Sequence, residues 1–181
     1  MLFRSFAELM RRVSAVRHPA GDHNDPLWRM HPERWMESAL LADVTTLDPH
    51  IDDGPVYSQV PAFAASDRAM IDVLARTRQG RLAVIELKAD EDLQLPMQGL
   101  DYWSRVQWHQ QRGEFHKFGY FPGKELSAQP PLLFLVAPAL HVHPATDILL
   151  KYVSPKIEWT LVGVGEDWRE EMRVIFRKTR A

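Results

Sequence analysis

Apolar residues recur at helical spacing in three long stretches of the chain. This spacing predicts amphipathic helices over residues 2–17, 32–43 and 97–117, and a shorter helix near residues 145–153. Residues 18–31, in which Pro, Gly, Asp and Asn are frequent, are expected to form a loop. Short apolar runs that lack a helical period separate the helices, so we expect a fold that combines helices with strands.

The two clearest strands lie in the middle of the chain, at residues 70–76 and 81–88. Both are rich in Val, Ile and Leu, and the turn Arg78-Gln79-Gly80 that joins them ends in a glycine, which adopts a positive φ without strain. The other strands are expected near residues 56–62, at 131–137 and at 157–164, while residues 168–180 fit either an edge strand or a helix. The run from 131 is continuously apolar, as is typical of a central strand buried on both faces.

Three charged side chains interrupt the apolar pattern of the hairpin. A three-residue turn pairs Thr77 with Arg81, and counting back along both strands then places Asp72 directly opposite Glu86. Lys88 lies two residues beyond Glu86 and therefore points to the same face. Two carboxylates and an ammonium group on a buried face are costly unless they bind something, and a divalent metal ion suits their chemistry. The alternative is a salt-bridged, solvent-exposed face.

Two of the predicted helices carry further polar candidates. Glu37 lies among large apolar residues in the middle of helix 32–43, and we expect it, rather than Glu33, to reach a functional site. On helix 97–117, polar side chains at steps of three or four residues form one stripe: Gln98, Tyr102, Arg105, His109, Arg112 and His116. Because this stripe begins soon after Lys88, it is expected to overhang the charged face of the hairpin.

Other acidic and histidine residues are interpreted as structural. Asp48, Asp52 and Asp53 lie beside Pro or Gly and are expected to form Asx-turns rather than to bind metal. His141 and His143 form a His-x-His pair of the kind that binds zinc, but no further ligands cluster near them in the sequence. A surface loop is therefore expected there.

Composition sets wide bounds on the function. The 181 residues suffice for one domain with a hydrophobic core, and 45% of them are hydrophobic and 25% charged, as in ordinary soluble proteins. The chain has no cysteine, which excludes disulfides and thiolate zinc sites and fits a cytoplasmic location. No apolar run is long enough to cross a bilayer. The net charge of −2 argues against a protein that coats nucleic acid indiscriminately, but it is compatible with a local contact.

The charged residues of the hairpin resemble the motif of the PD-(D/E)XK nuclease superfamily. Asp72 matches the aspartate of that motif, and Glu86-Leu87-Lys88 matches its (D/E)-x-K element. Ile71 stands where the motif has proline, a departure that the family tolerates widely. The hairpin is thus the centre of the resemblance.

The flanking helices extend the resemblance over about residues 32–164. Glu37 resembles the glutamate of the family's upstream helix, and Gln98-x-x-x-Tyr102 resembles the Q-x-x-x-Y motif of the RecB-like exonuclease branch. The resemblance implies an α/β fold with a restriction-endonuclease-like α-β-β-β-α-β core, in which helices flank a mixed central sheet. Residues 1–181 would form a single domain, with the first helix outside the core.

The resemblance also implies a deoxyribonuclease that hydrolyses phosphodiester bonds with Mg²⁺ or Mn²⁺. Asp72, Glu86 and the backbone carbonyl of Leu87 would bind the metal. Glu37 would complete a second metal site or hold a water. Lys88 would orient the attacking water, lower its pKa, or stabilise a phosphorane oxygen.

Residues on the stripe and the hairpin would contact the substrate strand. Gln98 and Tyr102 would hold the strand or support the metal site, and Arg105, Arg76 and His109 would contact phosphates. The expected partner is DNA, with no role for a membrane, while a homodimer and a fusion to a larger protein stay open. The alternatives are a catalytically silent nucleic-acid-binding or assembly domain with the same fold, and an unrelated α/β protein whose acidic face is structural.

Overall fold

The computed structural model describes residues 5–61 and 70–180. The strands are β1 (Tyr57–Pro61), β2 (Met70–Arg76), β3 (Leu82–Leu87), β4 (Leu132–Pro138), β5 (Trp159–Val164) and β6 (Val174–Thr179). The helices are α1 (Phe6–Val16), α2 (Pro26–Arg29), α3 (Pro32–Ala42), α4 (Leu95–Gln111), α5 (Glu114–Lys117) and α6 (Ala145–Lys151), with single 3₁₀ turns at Val44–Thr46 and Ala139–His141. The predicted positions at Leu2, Phe3 and Ala62 lie outside the described residues.

The six strands form one mixed sheet in the order β1-β2-β3-β4-β5-β6. Strands β1, β2 and β3 form an antiparallel meander, β3, β4 and β5 are mutually parallel, and β6 is an antiparallel edge strand. Helix α4 connects β3 to β4 and packs on both, because a parallel pair needs a crossover connection. The predicted α/β class with a mixed sheet is confirmed, and the undecided C-terminal stretch contains a strand.

The register of the central hairpin agrees with the count from its turn. The Thr77 N–H donates to the Arg81 carbonyl at 2.7 Å, and Val73 lies opposite Ile85. Gly80 has a φ of 82°, and a Cβ added to it would lie 2.6 Å from the carbonyl oxygen of Glu125. This turn therefore requires glycine both for its conformation and for the close approach of another loop.

The sheet is covered on both faces, and β3 shows how the two faces differ. Ala83, Ile85 and Leu87 pack in the hydrophobic cluster that contains α3 residues, whereas Leu82 and Val84 pack in the cluster that contains α4 residues. The alternation of strand side chains places Glu86 on the α4 side. The strand is therefore buried on both sides, and its one carboxylate faces a helix.

Helix α4 approaches the sheet closely above Glu86, and Gly99 makes this close approach possible. A Cβ on Gly99 would lie 2.5 Å from Leu135 Cδ2 and 3.7 Å from Glu86 Cβ. No larger residue fits there unless the helix moves outward. The start of α4, which carries Gln98 and Tyr102, is thus held against the charged face of the hairpin.

Two helix predictions were wrong at positions with clear local causes. The predicted helix 97–117 is divided, because Gly113 adopts a left-handed conformation (φ 64°) after α4 and α5 then begins separately. The predicted loop 18–31 contains α2, whose first turn is capped by the Asp25 side chain with Pro26 at the first helical position. No helix within the described ranges is long and apolar enough to span a bilayer.

Candidate active site

The two carboxyl groups of the hairpin face each other at the end of the β2–β3 pair. A side-chain hydrogen bond links Asp72 and Glu86, and Asp72 Oδ2 also accepts the N–H of Leu87 at 3.0 Å. Glu86 is 2% exposed, and its Oε2 atom is buried without a hydrogen-bond partner among the described residues. When both carboxyls are ionised, neither supplies a donor to this oxygen, so the pair needs either a shared proton or a cation.

Lys88 joins this pair from the end of β3. Its Nζ donates to Glu86 Oε1 at 3.3 Å, and its side chain is 17% exposed. The backbone N–H of Lys88 donates to the Val136 carbonyl at 2.9 Å, which fixes the residue where β3 leaves the sheet. The ammonium group is therefore held beside the carboxyl pair and still reaches solvent.

Glu37 reaches the same site from α3 through a residue that the sequence did not single out. Gln59 Nε2 donates to Glu37 Oε2 at 2.7 Å and to Asp72 Oδ1 at 3.5 Å, so one amide links the helix to the hairpin. Arg34 Nη1 also donates to Glu37 Oε2, at 3.3 Å. The structure thus brings together Glu37 and the three charged residues of the hairpin.

Gln59 could have been found only if the pairing of β1 had been known. The register between β1 and β2, in which Ser58 lies opposite Val73, places Gln59 opposite Asp72. Residues 62–69 separate the two strands in the sequence and lie outside the described residues, so the register cannot be counted from a turn as it can in the hairpin. Gln59 also has a φ of 51°, which is unusual for a residue other than glycine within a strand.

The start of α4 brings two more predicted residues to this side of the sheet. Gln98 Oε1 is buried and has no hydrogen-bond partner within the described part of the chain, and Gln98 directly precedes Gly99, which packs over Glu86. Tyr102 is buried, and the loss of solvent together with the negative charges of Glu86 and Asp72 raises its pKa to about 12. Both residues therefore lie on the part of α4 that covers the carboxyl pair.

The three predicted phosphate contacts differ in how accessible they are. Arg105 is partly exposed on α4 and donates to Asp101 Oδ2 at 2.9 Å. His109 is only 8% exposed and hydrogen-bonds Glu114 Oε2 at 2.5 Å. Arg76 is likewise 8% exposed and forms an ion pair with Asp52, so its guanidinium serves a buried contact. The helical stripe is therefore not one continuous solvent-facing surface.

The acidic residues of the connector before β1 make local contacts. Asp48 Oδ1 accepts the His50 N–H at 2.8 Å, and Asp52 Oδ1 accepts the Gly54 N–H at 3.1 Å, so both form the expected Asx-turns. Asp53 hydrogen-bonds the Asp52 side chain instead.

The histidine pair also lies in local contacts. His143 Nδ1 accepts the Ala145 N–H at 3.0 Å. His141 Nε2 lies 3.4 Å from Glu166 Oε2. The two imidazoles therefore interact with different partners rather than with one shared ligand.

Burial and mutual repulsion control the ionisation of the carboxyl pair. Burial raises the pKa of Glu86 to about 8, and the neighbouring charge of Asp72 adds to this rise. Burial also raises the pKa of Asp72, while its hydrogen bond from Leu87 and the charge of Lys88 oppose the rise. At neutral pH the two carboxyls therefore share a proton, which a bound dication would displace.

This ionisation predicts an inverse dependence of stability on pH. Because the folded pKa of Glu86 lies above its ordinary value of 4.5, the folded chain holds more protons than the unfolded chain between these pH values. In EDTA, the free energy of unfolding should fall from pH 5 to pH 8 by at most about 1.4 kcal/mol per pH unit, relative to Glu86→Gln. Urea titrations at several pH values measure this difference, and parallel pH profiles for the two proteins would contradict it.

The residues present fit a hard divalent cation at the hairpin. Among the described residues, no three histidine or carboxylate side chains are arranged as a closed metal cluster. Magnesium sites, however, commonly use only one or two carboxylates together with water and substrate phosphates. The facing carboxyls of Asp72 and Glu86, with the unpartnered Glu86 Oε2 and Gln98 Oε1, supply oxygen ligands of that type.

Comparison with known proteins adds no assignment to this geometry. No protein-family model matches the chain, and no curated protein matches it at a significant level.

Proposed function

We propose that this protein is a metal-dependent nuclease that hydrolyses phosphodiester bonds in DNA. The observation that carries the proposal is the buried Asp72–Glu86 carboxyl pair, which has an unpartnered carboxylate oxygen and the ammonium group of Lys88 at 3.3 Å. Two buried carboxyls that share a proton are unfavourable for folding, and the same arrangement is useful for holding a dication.

The order of the elements supports a restriction-endonuclease-like core of the PD-(D/E)XK type. Helix α3, the meander β1–β2–β3, helix α4 and the parallel strand β4 follow the α-β-β-β-α-β order of that core. The candidate residues lie on the elements where this type of core requires them: Glu37 on α3, Asp72 on β2, Glu86 on β3, and Gln98 and Tyr102 on α4.

Asp72, Glu86 and the backbone carbonyl of Leu87 would hold Mg²⁺ or Mn²⁺, with Glu37 serving a second ion or a water. A bound dication would supply the positive charge that offsets the charge developing on the phosphate. Lys88 has three donor hydrogens and directs one to Glu86, which leaves others for an attacking water or a phosphate oxygen.

The remaining residues would position the substrate strand. Gln98 and Tyr102 supply an amide and a hydroxyl on the part of α4 that covers the carboxyl pair, where they would orient the scissile phosphate. Arg105 lies one turn beyond Tyr102 and is the most accessible of the three predicted phosphate contacts. Arg76 and His109 are buried in other contacts, so their expected contribution is small.

Incubation with end-labelled DNA tests the proposal directly. Single- and double-stranded DNA, and RNA of the same sequence, are incubated with Mg²⁺, with Mn²⁺ or with EDTA. We expect cleavage of DNA in the presence of either metal and none in EDTA. Binding without cleavage under all conditions would favour the alternative of a catalytically silent nucleic-acid-binding or assembly domain. Absence of both would contradict any nucleic-acid function.

Two substitutions at Tyr102 distinguish a role in placing the substrate from a role in the packing of the core. Tyr102→Phe removes only the hydroxyl, so we expect a melting temperature within a degree or two of the wild type and about tenfold slower cleavage, as for one lost hydrogen bond to a charged group. Tyr102→Ala should lower the free energy of unfolding by about 3–5 kcal/mol, because the ring is buried in the core below α4. Thermal melts and cleavage rates measure both, and full activity in Tyr102→Phe would leave the residue a core role only.

A further inference from the structure

A cluster of three tryptophans lies on the α3 side of the sheet. Trp28 and Trp35 make an edge-to-face contact with ring centroids 4.6 Å apart, and Trp35 and Trp168 make a second at 6.0 Å. All three side chains are buried, although Trp168 lies far from the other two in the sequence. This tryptophan cluster joins α2, α3 and the segment after β5 into one rigid surface.

Two arginines place their guanidinium groups on this cluster. The guanidinium carbon of Arg169 lies 4.1 Å from the centroid of Trp168 and 5.5 Å from that of Trp35. The guanidinium carbon of Arg17 lies 5.8 Å from the centroid of Trp35. Burial lowers the pKa of Arg169, the charge of Asp90 opposes this change, and the repulsion between the two guanidinium groups adds to it. An anion between them would relieve the repulsion.

The two arginines differ in how their donors are used. Arg17 donates to the backbone carbonyls of Leu27 and Met30 and so helps to hold α2 in place. Arg169 Nε is buried and has no acceptor among the residues that the structure describes. A buried guanidinium N–H without an acceptor is unfavourable for folding. A bound anion would supply the acceptor that Arg169 Nε lacks among the described residues.

The position of Arg169 connects this cluster with the candidate active site. Trp35 lies two residues before Glu37 on α3. The charge of Asp90, two residues after Lys88, acts on Arg169. Arg169 therefore lies near the chain that leaves β3, at the end of the sheet that carries Lys88 but on the α3 face rather than the α4 face. A strand that extends from the carboxyl pair around this end of the sheet would come within reach of Arg169.

We propose that Arg169, assisted by Arg17, binds a phosphate group of the nucleic-acid strand next to the cleavage site. A guanidinium held against indole rings is fixed in place, and the planar arrangement of its N–H donors matches the bidentate geometry of a phosphate. The phosphate is either an internal diester or a terminal monoester of the strand. The inference rests on the proposed function, since it takes the substrate to be nucleic acid.

Binding in EDTA tests this inference without cleavage. A short labelled oligothymidylate, with and without a terminal phosphate on either end, is titrated with protein at several salt concentrations, and binding is followed by fluorescence anisotropy. Arg169→Gln should weaken binding about tenfold and reduce the slope of log K against log salt by about 0.7, the value for one lost phosphate contact on a single strand. Arg173→Gln is the matched control, because Arg173 lies in the same region and already pairs with Asp167 and Glu171.

The comparison between oligonucleotides identifies the phosphate. If Arg169 binds a terminal monoester, wild type should prefer the phosphorylated strand and Arg169→Gln should lose that preference. If it binds an internal diester, all strands should weaken equally. Unchanged affinity and salt slope in Arg169→Gln, with a lowered melting temperature, would overturn the proposal and leave a purely structural stacking role.

A second variant covers the case in which Arg169→Gln does not fold. Arg169→Lys keeps the charge but loses the planar fork, so we expect weaker binding with a salt slope like that of the wild type. Wild-type affinity in this variant would contradict bidentate recognition. Phosphate-dependent binding in a protein that cleaves nothing with Mg²⁺ or Mn²⁺ would preserve the phosphate site and refute the nuclease proposal alone.

Discussion

Glu86→Gln is expected to abolish cleavage without damage to the fold. The substitution removes one of the two carboxyl groups that face each other on the hairpin, and with it one proposed oxygen ligand for a dication. Loss of several kcal/mol of transition-state stabilisation corresponds to a rate reduced by about 10³-fold or more. The melting temperature should stay unchanged or rise, because the substituted amide is a neutral group of the same shape at a position where the native carboxyl pair holds a proton at neutral pH.

The control for this prediction is Glu33→Gln. Glu33 lies in the first turn of α3 and is more exposed than Glu37, so its loss should leave both the cleavage rate and the melting temperature near wild-type values. Single-turnover cleavage rates and thermal melts of the two variants measure the contrast. A Glu86→Gln protein that is stable and cleaves at the wild-type rate would remove the carboxyl pair from the mechanism.

Lys88→Ala is expected to slow cleavage roughly 10³-fold while binding of metal and DNA is largely retained. The ammonium group cannot ligate a cation, yet it donates to Glu86 and lies where a water or a phosphate oxygen would approach. Lys88 also lowers the pKa of Glu86, so its removal makes Glu86 harder to ionise. Calorimetric titration with Mn²⁺ should therefore be performed above pH 8, where the carboxyl pair can lose its proton.

Two variants accompany this experiment. Lys88→Met keeps the aliphatic stem of the side chain, so it should be as inactive as Lys88→Ala but closer to the wild type in stability. Lys156→Ala removes an exposed lysine far along the chain and should be fully active. If Lys88→Ala instead lost Mn²⁺ binding in parallel with cleavage, Lys88 would act by supporting Glu86 rather than by contact with the reacting groups.

The central hairpin was determined by the sequence alone because its rules are local. The spacing of apolar residues indicates both strands, and the three-residue turn ending at Gly80 sets their register, so that Asp72 faces Glu86. The same local reasoning placed Glu37 in the buried part of α3 and β4 in the centre of the sheet. The prediction of one helix over residues 97–117 was wrong at Gly113, because the helical spacing of the sequence continues there while the backbone adopts a left-handed conformation.

The contacts between elements were decided by the tertiary structure. Gln59 bridges Glu37 and Asp72 because of the register in which β1 pairs with β2, and the spacing of residues in the sequence does not specify that register. Arg76 lies four residues after Asp72 on β2, so strand alternation places both side chains on the same face. Arg76 nevertheless pairs with Asp52, because the loop that carries Asp52 packs beside it. In both cases the partner of a side chain depends on how segments far apart in the sequence are docked, which local periodicity does not encode.

The tryptophan cluster illustrates the same division. Each tryptophan alone indicates only an apolar residue of its own segment, and Arg169 is one charge in a stretch whose secondary structure was undecided. Only the packing of α2, α3 and the segment after β5 brings two guanidinium groups onto one set of rings on the α3 face of the sheet. The sequence by itself determined which chemical groups the hairpin carries, because strand period and turn length are short-range constraints. The side chains that surround these groups depend on how distant segments pack together, and that packing is a property of the whole folded chain.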